Sequence, residues 1–251
     1  MSPLPDLTNS WQATLQWQPT SEQQAQFQQL FQGILLGNQQ MNLTRITEPT
    51  EFWEKHLWDA LSGLAPWLSS TSQPGWLPSV PALRAIDIGA GAGIPGFPAA
   101  IALPDWHVTL LDSTQKKVRF LQELAQTMSL RQVKAIADRA EFLAHQPSHR
   151  EQYDVALLRA VGSAATCAEY ALPLLKLGGV AILYRGQWSD EDSQQLDRVA
   201  AQLGGRLVDV QSRQTPLTQG ERHCLYLQKQ RTTAEDFPRA VGIPAKTPLT
   251  A

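Results

Sequence analysis

Cysteine is scarce in this sequence: the 251 residues contain only two, Cys167 and Cys224. They are much too far apart to show the short spacings that are typical of paired zinc ligands. Nothing in their surroundings indicates a disulfide framework either. We therefore predict two reduced, buried thiols and no metal site.

A long apolar run is also missing. No segment approaches the ~18 consecutive apolar residues that a membrane-spanning helix needs. No lysine or arginine precedes Arg45, whereas a secretory signal or a basic transit peptide carries positive charge near its start. These absences predict a cytoplasmic protein without a membrane partner.

An excess of charge of one sign is absent as well. Lysine and arginine together number 21, aspartate and glutamate number 23, and the formal net charge is −2. A protein that binds nucleic acid through a general electrostatic field carries a marked basic excess. Any binding to RNA must therefore depend on a local cluster of basic side chains.

Glycines, by contrast, are concentrated behind one apolar run. Residues 85–96 read Ala-Ile-Asp-Ile-Gly-Ala-Gly-Ala-Gly-Ile-Pro-Gly, so a predicted buried strand leads directly into alternating glycines. Such glycines allow a sharp turn and let a ligand approach the backbone. The next apolar run ends in Asp112, where a carboxylate can accept hydrogen bonds from a ribose diol. The pattern predicts an adenosine-type ligand across the carboxyl ends of two adjacent strands.

Two kinds of adenosine ligand fit these residues. Residues 91–96 match the G-x-G-x-x-G fingerprint of dinucleotide folds, with Asp112 at the expected distance of ~20 residues. Asp87, however, suits a cationic ligand better than a pyrophosphate. Pro95 and Pro98 lack the N–H groups that a phosphate would bind. The acid, the alternating glycines and the second acid resemble the S-adenosylmethionine (SAM) site of class I methyltransferases.

The segments outside this region differ in composition. Residues 1–20 contain three prolines and are predicted to be a loose N-terminal arm that packs by its aromatic side chains. Residues 21–82 are predicted to be a helical extension that ends in a linker over 66–82, rich in proline and serine. Residues 231–251 are polar and are predicted to be a flexible tail unless a partner orders them.

Residues 83–230 alternate between predicted strands and helices. Apolar runs predict seven strands, at 84–88, 107–112, 132–136, 153–158, 179–185, 206–211 and 222–229. Helical spacing predicts helices at 95–103, 115–129, 138–145, 163–176 and 189–203. Repeated β-α units with short connections imply an α/β fold, with a mostly parallel seven-stranded sheet and helices on both faces. This is the Rossmann-like architecture of class I SAM-dependent methyltransferases, and the last two strands can pair antiparallel at one side.

Charged residues stand where several predicted strands end. Glu141 follows the third strand, in a loop that borders the adenine in this fold, although it also suits the first turn of a helix. Arg159 closes the fourth strand and Arg185 the fifth, so both face the expected ligand crevice. His56 and Asp59 share one helix face, and a structural role for a buried His56 competes with a role in the site.

Motifs for demanding methyl acceptors are missing from the sequence. No Asp/Asn-Pro-Pro-Tyr follows the fourth strand, where enzymes that act on exocyclic amines carry it. Neither cysteine follows a proline there, as the nucleophile of a pyrimidine C5 enzyme would. No arrangement of serine, histidine and aspartate stands out. The remaining possibility is a methyl acceptor that needs little activation, such as guanine N7 with its free lone pair.

These pieces resemble one family, the bacterial small-subunit ribosomal RNA guanine-N7 methyltransferases, once called glucose-inhibited division protein B. The matching segments are 42–44, 55–61, 87–96, 110–113, 116–121, 139–141, 158–160, 186–187 and 238–244. The sequence departs from the family at Lys55 and Ala60, where arginine and serine are usual, and at Arg185, where lysine is common. The departure at Arg185 keeps the charge but changes its geometry.

The resemblance implies a SAM-dependent enzyme that methylates N7 of a guanine in 16S ribosomal RNA, in the small subunit or an assembly precursor. By resemblance, SAM is contacted by Gly89, Ile94, Asp112, Ser113, Thr114, Ala140, Glu141 and Arg159. Asp87 and Gly91 join this set from their place in the glycine turn. Arg159 is also the candidate catalytic residue. The predicted RNA-facing residues are Arg45, His56, Arg185 and Arg222.

Two other interpretations stay open at this level. One is a nucleotide-dependent oxidoreductase, which the ultraviolet absorbance of an extracted reduced nicotinamide would reveal. The other is a non-catalytic RNA- or ribosome-binding protein that retains the fold. A labelled-methyl transfer assay with total RNA would separate that protein from an enzyme.

Overall fold

The computed structural model describes residues 2–69, 74–78 and 82–250, so part of the linker predicted over 66–82 lies outside the described residues. A seven-stranded sheet has the order β3-β2-β1-β4-β5-β7-β6. The strands are β1 (Arg84–Ile88), β2 (His107–Asp112), β3 (Val133–Ala137), β4 (Tyr153–Arg159), β5 (Leu175–Arg185), β6 (Gly205–Gln214) and β7 (Glu221–Lys229). All neighbours are parallel except the pairs that β7 makes with β5 and β6. The predicted α/β fold is thus confirmed.

Helices cover both faces of the sheet. They are α1 (Thr8–Leu15), α2 (Ser21–Asn38), α3 (Pro49–Phe52), α4 (Asp59–Ser62), α5 (Ala65–Leu68), α6 (Gly96–Ala102), α7 (Gln115–Thr127), α8 (Ala140–Leu143), α9 (Ala164–Ala171), α10 (Asp190–Gln202) and α11 (Ile243–Lys246). A π-helical turn, Trp53–Trp58, joins α3 to α4. None of the helices in the described residues is long and apolar enough to cross a membrane.

Alternation along the central strands produces two cores. Val155 and Leu157 of β4 belong to a core shared with α2, α6 and α7, whereas Ala156 and Leu158 belong to a core shared with α9 and α10. Successive side chains of a strand point to opposite faces, and buried parallel strands are therefore apolar throughout. With both faces covered, a ligand has access at the carboxyl ends of the strands.

The N-terminal arm is more ordered than the sequence predicts. Residues 8–15 form α1, and the side chains of Trp11 and Leu15 are buried. The ring centroid of Trp11 lies 4.8 Å from that of Trp53 in the π-helical turn, and Trp58 donates a hydrogen bond to Thr14 Oγ1 at 2.8 Å. Aromatic packing of this kind stabilises a segment whose short polar sequence would not fold alone.

The C-terminal segment also differs from its prediction as a flexible tail. Thr233 is buried, and its hydroxyl accepts a hydrogen bond from the buried Lys229 ammonium at 2.6 Å. The Arg239 guanidinium forms an ion pair with the fully buried carboxylate of Glu169 at 2.7 Å. These long-range polar contacts join the C-terminal segment to β7 and α9.

One helix boundary moves for a local reason. The helix predicted over 163–176 ends at Ala171 and is followed by a 3-10 turn, Leu172–Leu174. Pro173 lies inside this turn, and its ring cannot continue an α-helix. Strand β5 consequently starts at Leu175, earlier than the predicted 179.

Candidate active site

The glycine turn after β1 forms one side of the site. Gly89, Gly91 and Gly93 have φ values of +76°, +56° and +86°, in the left-handed region that glycine adopts without strain. The Gly89 N–H donates to the Leu111 carbonyl of β2 at 2.8 Å. A Cβ on Gly93 would lie 2.2 Å from the Phe97 ring. All three glycines are thus required by the backbone conformation, and Gly93 is required by close packing as well.

Asp112 links this turn to β2. Its Oδ2 accepts a hydrogen bond from the Gly91 N–H at 3.0 Å, and its Oδ1 accepts one from the Thr114 N–H at 2.8 Å. Each carboxylate oxygen has two lone pairs, so each can accept one more hydrogen bond. The Lys117 ammonium lies 3.8 Å from Oδ2. A fixed carboxylate with two remaining acceptor sites matches the two hydroxyls of a ribose.

A cavity of about 240 Å³ opens beside Asp112, at the carboxyl ends of β1 and β2. Its lining residues are Ile88, Gly89, Leu111, Asp112, Ser113, Asp138, Arg139, Ala140, Glu141, Val161, Tyr170 and Ala245. Five of the ten residues that we predicted to contact SAM are therefore brought together around one cavity. Its size is close to the lower end, about 300 Å³, of pockets that hold small ligands.

Glu141 lies at the cavity with its carboxylate fully buried. Oε1 accepts hydrogen bonds from Arg139 at 2.9 Å, from the Tyr170 hydroxyl at 3.1 Å and from the Gly242 N–H at 2.9 Å. Although burial opposes ionisation, the hydrogen bonds from Arg139 and Gly242 hold the pKa of Glu141 below its ordinary value. The Glu141 carboxylate is thus a charged structural tie in the cavity wall.

Asp87 lies beneath the glycine turn and does not line the cavity. Its Oδ2 accepts the Gly96 N–H at 2.8 Å, so it fixes the end of the turn. Its Oδ1 is buried and has no hydrogen-bond partner among the described residues. Burial raises the pKa of Asp87 to about 7, although the Gly96 N–H and the nearby Arg159 charge oppose the shift.

The raised pKa of Asp87 predicts a specific pH dependence. In the folded protein Asp87 keeps a proton up to about pH 7, whereas the unfolded chain releases it near pH ~4. Its contribution to stability therefore falls as the pH rises from ~4 to ~7 and stays low above that range. Asp87→Asn is neutral in both states. We expect the free energy of unfolding of Asp87→Asn, relative to wild type, to increase by about 2–3 kcal/mol between about pH 5 and pH 8.

Urea unfolding at the two pH values measures this difference. Subtracting the wild-type free energy of unfolding at each pH removes the contribution of the carboxylates that both proteins share. A difference that does not change with pH would show that Asp87 is ionised in the folded protein throughout this range.

Arg159 connects the end of β4 to the N-terminal helices. Its Nη1 donates to the Lys55 carbonyl and to Asp59 Oδ2, both at 2.6 Å. Its Nη2 lies 2.8 Å from Nδ1 of His56. Asp59 also pairs with Arg222, whose Nε is 3.3 Å from Oδ1. Arg159 therefore holds the π-helical turn, which carries Lys55 and His56, against the crevice.

His56 is an internal support and not the RNA-facing residue that we predicted. Its side chain is buried, and its Nε2 lies 2.8 Å from Thr44 Oγ1. Because a guanidinium can only donate, Nδ1 must accept from Arg159 and Nε2 must carry the proton. Burial, together with the Arg159 charge, lowers the pKa of His56 to about 3. The imidazole is consequently neutral at physiological pH.

The other predicted RNA-facing arginines differ in exposure. Arg45 is exposed, and no hydrogen-bond or ion-pair partner is found for it in the described residues. Arg185 is half-buried and donates to the Gly162 carbonyl at 2.7 Å. Arg222 is half-buried and pairs with Asp59. Arg185 thus supports the loop at Gly162 and Arg222 contacts α4, whereas Arg45 is the exposed cation of the three.

Seven of the twelve residues that line the cavity were not predicted as SAM contacts: Ile88, Leu111, Asp138, Arg139, Val161, Tyr170 and Ala245. Val161 follows β4, Tyr170 lies in α9 and Ala245 lies in α11. Tyr170 is on the buried face of α9 and resembles an ordinary core residue in sequence. Ala245 lies in a polar segment without helical or strand periodicity, so no local signal marks it.

A glycine turn, an acid at the end of β2 and a cavity between them, in a sheet of this order, define the class I SAM-dependent methyltransferase fold. The antibiotic-resistance methyltransferase Kmr has this fold, with a TM-score of 0.51 and 16% identity, over 60% of this chain and 88% of that one. A sequence profile of the family described as rRNA small subunit methyltransferase G matches residues 23–225. This chain belongs to that family, which confirms the resemblance seen in the sequence.

Relatives match over almost the full chain. The Ribosomal RNA small subunit methyltransferase G of Trichormus variabilis is 53% identical over 246 residues, which cover 98% of both chains. That of Microcystis aeruginosa is 54% identical over 226 residues, which cover 90% of this chain and 99% of the relative. Identity at this level extends across the N-terminal helices as well as the sheet.

Proposed function

We propose that this protein transfers the methyl group of SAM to N7 of a guanine in 16S ribosomal RNA. The observation that carries the proposal is the family match, with its relatives named as ribosomal RNA small subunit methyltransferases at 53% identity over 98% of the chain. This match favours methyl transfer over a nucleotide-dependent oxidoreductase. A ribosomal substrate also agrees with the cytoplasmic location that the sequence predicts.

The residues at the strand ends fit SAM. Asp112 would accept hydrogen bonds from the ribose hydroxyls, since both of its oxygens keep a free lone pair beside the cavity. The backbone of Gly89 lines the cavity without a side chain and allows the ligand to approach closely. Ser113 and Ala140 line the same cavity, where the adenine would lie. Asp87 lies outside the cavity and would support the cofactor site by fixing the end of the glycine turn through the Gly96 N–H.

The chemistry needs little from ionisable side chains. Bound SAM supplies a methyl group made electrophilic by the adjacent sulfonium. Guanine N7 carries a lone pair and no proton, so the reaction requires no general base. The protein would then act mainly by holding the two reactants close and in line. Arg159, which ties β4 to the π-helical turn, would position the methionine end or the target base.

The charge distribution bears on the form of the RNA substrate. Affinity for naked RNA depends on neutralising many phosphates, but the net charge is −2. Two of the four predicted RNA-facing residues, Arg185 and Arg222, are engaged in protein contacts and His56 is buried. RNA is often recognised by the shape of a structured region from which the target base is extruded. We therefore propose the small ribosomal subunit, or a late assembly precursor, as the substrate.

Radioactive methyl incorporation tests both parts of this proposal. Intact small subunits, deproteinised 16S ribosomal RNA and a short RNA hairpin are compared at matched concentration and salt. We expect efficient methylation of the subunit and a rate at least about tenfold lower on the hairpin, because the hairpin offers few phosphate contacts. Equal rates on all three would show that a local basic patch suffices. Absence of incorporation into any of them would favour a non-catalytic RNA-binding protein.

A further inference from the structure

The segment that follows the matched family region reaches the proposed cofactor cavity. The family profile ends at residue 225, yet Ala245 of α11 lines the same cavity as Gly89 and Asp112. The Gly242 N–H donates to Glu141 Oε1 at 2.9 Å, at the start of α11. One wall of the cavity is therefore built from a part of the chain that lies outside the profile.

This segment is held in place by buried polar groups of α9. The Arg239 backbone N–H donates to Glu169 Oε1 at 2.8 Å, and its guanidinium donates to both oxygens of the same carboxylate. Glu169 is fully buried, and such two-point pairs fix geometry as well as charge. The buried Thr166 hydroxyl donates to the Pro244 carbonyl at 2.9 Å. The segment is thus held on both sides of Gly242.

Apolar burial accounts for only part of this position, since Pro244 is buried but both of its neighbours are exposed. Val241 and Ile243 are 55% and 40% exposed, although they flank Gly242. The conformation at Gly242, with φ +85°, is one that other residues rarely adopt. The turn at Gly242, flanked by two exposed apolar residues, is tied to the cavity wall through its bond to Glu141. This combination indicates a role at the cavity that goes beyond stabilising the fold.

We propose that residues 240–247, which we call the C-terminal wall, complete the binding site for the adenosine part of SAM. Ala245 lies against the ligand, and the bond from Gly242 to Glu141 holds the wall beside it. The inference rests on the proposed function, since it assumes that the cavity holds SAM. Glu141 then acts as a positioning residue, because its Oε1 is already filled by three protein donors.

Two glycines in the full-length chain offer a matched test. Gly242 and Gly178 have φ values of +85° and +78°, and a Cβ on either would meet no atom within 4 Å. Alanine at each position therefore introduces the same backbone strain without a clash. Gly178 lies near the start of β5, which pairs with the amino end of β4 at the opposite end of the strands from the cavity.

We expect Gly242→Ala to raise the Kd for SAM about fivefold or more, because the strain displaces the wall. Gly178→Ala should leave the Kd within about twofold of wild type. It should lower thermal stability about as much as Gly242→Ala does, because the backbone strain is the same. Titration calorimetry with SAM alone gives the Kd, and thermal melting gives the stability. Equal SAM affinity in the two variants would overturn the inference.

A shortened chain that ends at Arg239 gives a second measurement. It keeps the hydrogen bonds between Arg239 and Glu169 but removes Gly242, Pro244 and Ala245. We expect a folded protein by circular dichroism, with a Kd for SAM about tenfold higher because one face of the ligand is exposed to water. Tighter SAM binding would overturn the inference by showing that the wall obstructs the cavity.

The outcomes separate the two proposals. If the wild-type chain binds SAM, and both Gly242→Ala and the shortened chain bind it equally well, the C-terminal wall has no role and the proposed function stands. If the full-length chain does not bind SAM, the proposed function and the inference both fail.

Discussion

Replacement of Arg159 by alanine is expected to lower the rate of methyl transfer at least about a hundredfold, because small displacements of a reacting group have effects of this size. The Arg159 guanidinium joins β4 to the π-helical turn through the Lys55 carbonyl and Asp59, both at 2.6 Å. It also donates to His56, which is neutral and buried. Without it, the turn loses its attachment to the end of β4, where the target base would be held.

Control variants show whether the effect is specific. Arg231→Ala removes an exposed arginine that likewise donates to a backbone carbonyl, that of Ala201 at 2.7 Å, on α10. It should keep wild-type activity. Arg159→Lys keeps the charge but cannot make the forked contacts, so its rate should lie between those of wild type and Arg159→Ala. Full activity of Arg159→Ala, with an unaltered circular dichroism spectrum, would show that Arg159 is merely a partly buried strand end.

Replacement of Asp112 by alanine is expected to weaken SAM binding by about 1–3 kcal/mol, the cost of leaving hydrogen-bonding groups unpaired. The structure adds a second reason for this loss. The carboxylate also accepts the N–H groups of Gly91 and Thr114, so alanine releases the glycine turn as well as the ribose. Titration calorimetry with purified protein measures the change.

Asp138→Ala is the matched control for this measurement. Asp138 lines the same cavity, but it is half-buried and its oxygens accept the adjacent Arg139 N–H and the Gln146 side-chain amide. The same charge is lost in both variants, so a larger effect at Asp112 would come from its hydrogen bonds. An unchanged Kd for Asp112→Ala would remove Asp112 from the cofactor site.

Much of this fold can be predicted from local sequence. Apolar runs identify the seven strands because each central strand is buried on both faces. The glycine turn and Asp112 are also predictable, because backbone conformation and the ends of strands are encoded by adjacent residues. The cavity indeed contains Gly89, Asp112 and Ala140. Where the site depends on residues close together in sequence, sequence reasoning identified residues that the structure brings to one cavity.

Long-range polar contacts set the limit of that reasoning. His56 is placed by Arg159, which is 103 residues away in sequence, and its spacing alone could not show that it is buried and neutral. The C-terminal wall depends on Glu141, which is 101 residues before Gly242, and on Glu169, which is 70 residues before Arg239. The C-terminal wall also lacks the periodicity that marks a core. Such contacts depend on the completed sheet, so a short window of sequence cannot reveal them.

The most direct test of the proposed activity is nucleoside mass spectrometry of 16S ribosomal RNA from a strain that lacks this protein. The predicted result is loss of an N7-methylguanine from that RNA, with recovery when the wild-type chain is restored and no recovery with Arg159→Ala. The same nucleoside should form when the purified protein and SAM act on small subunits from the deletion strain. An unchanged N7-methylguanine content in the deletion strain would contradict the proposed function.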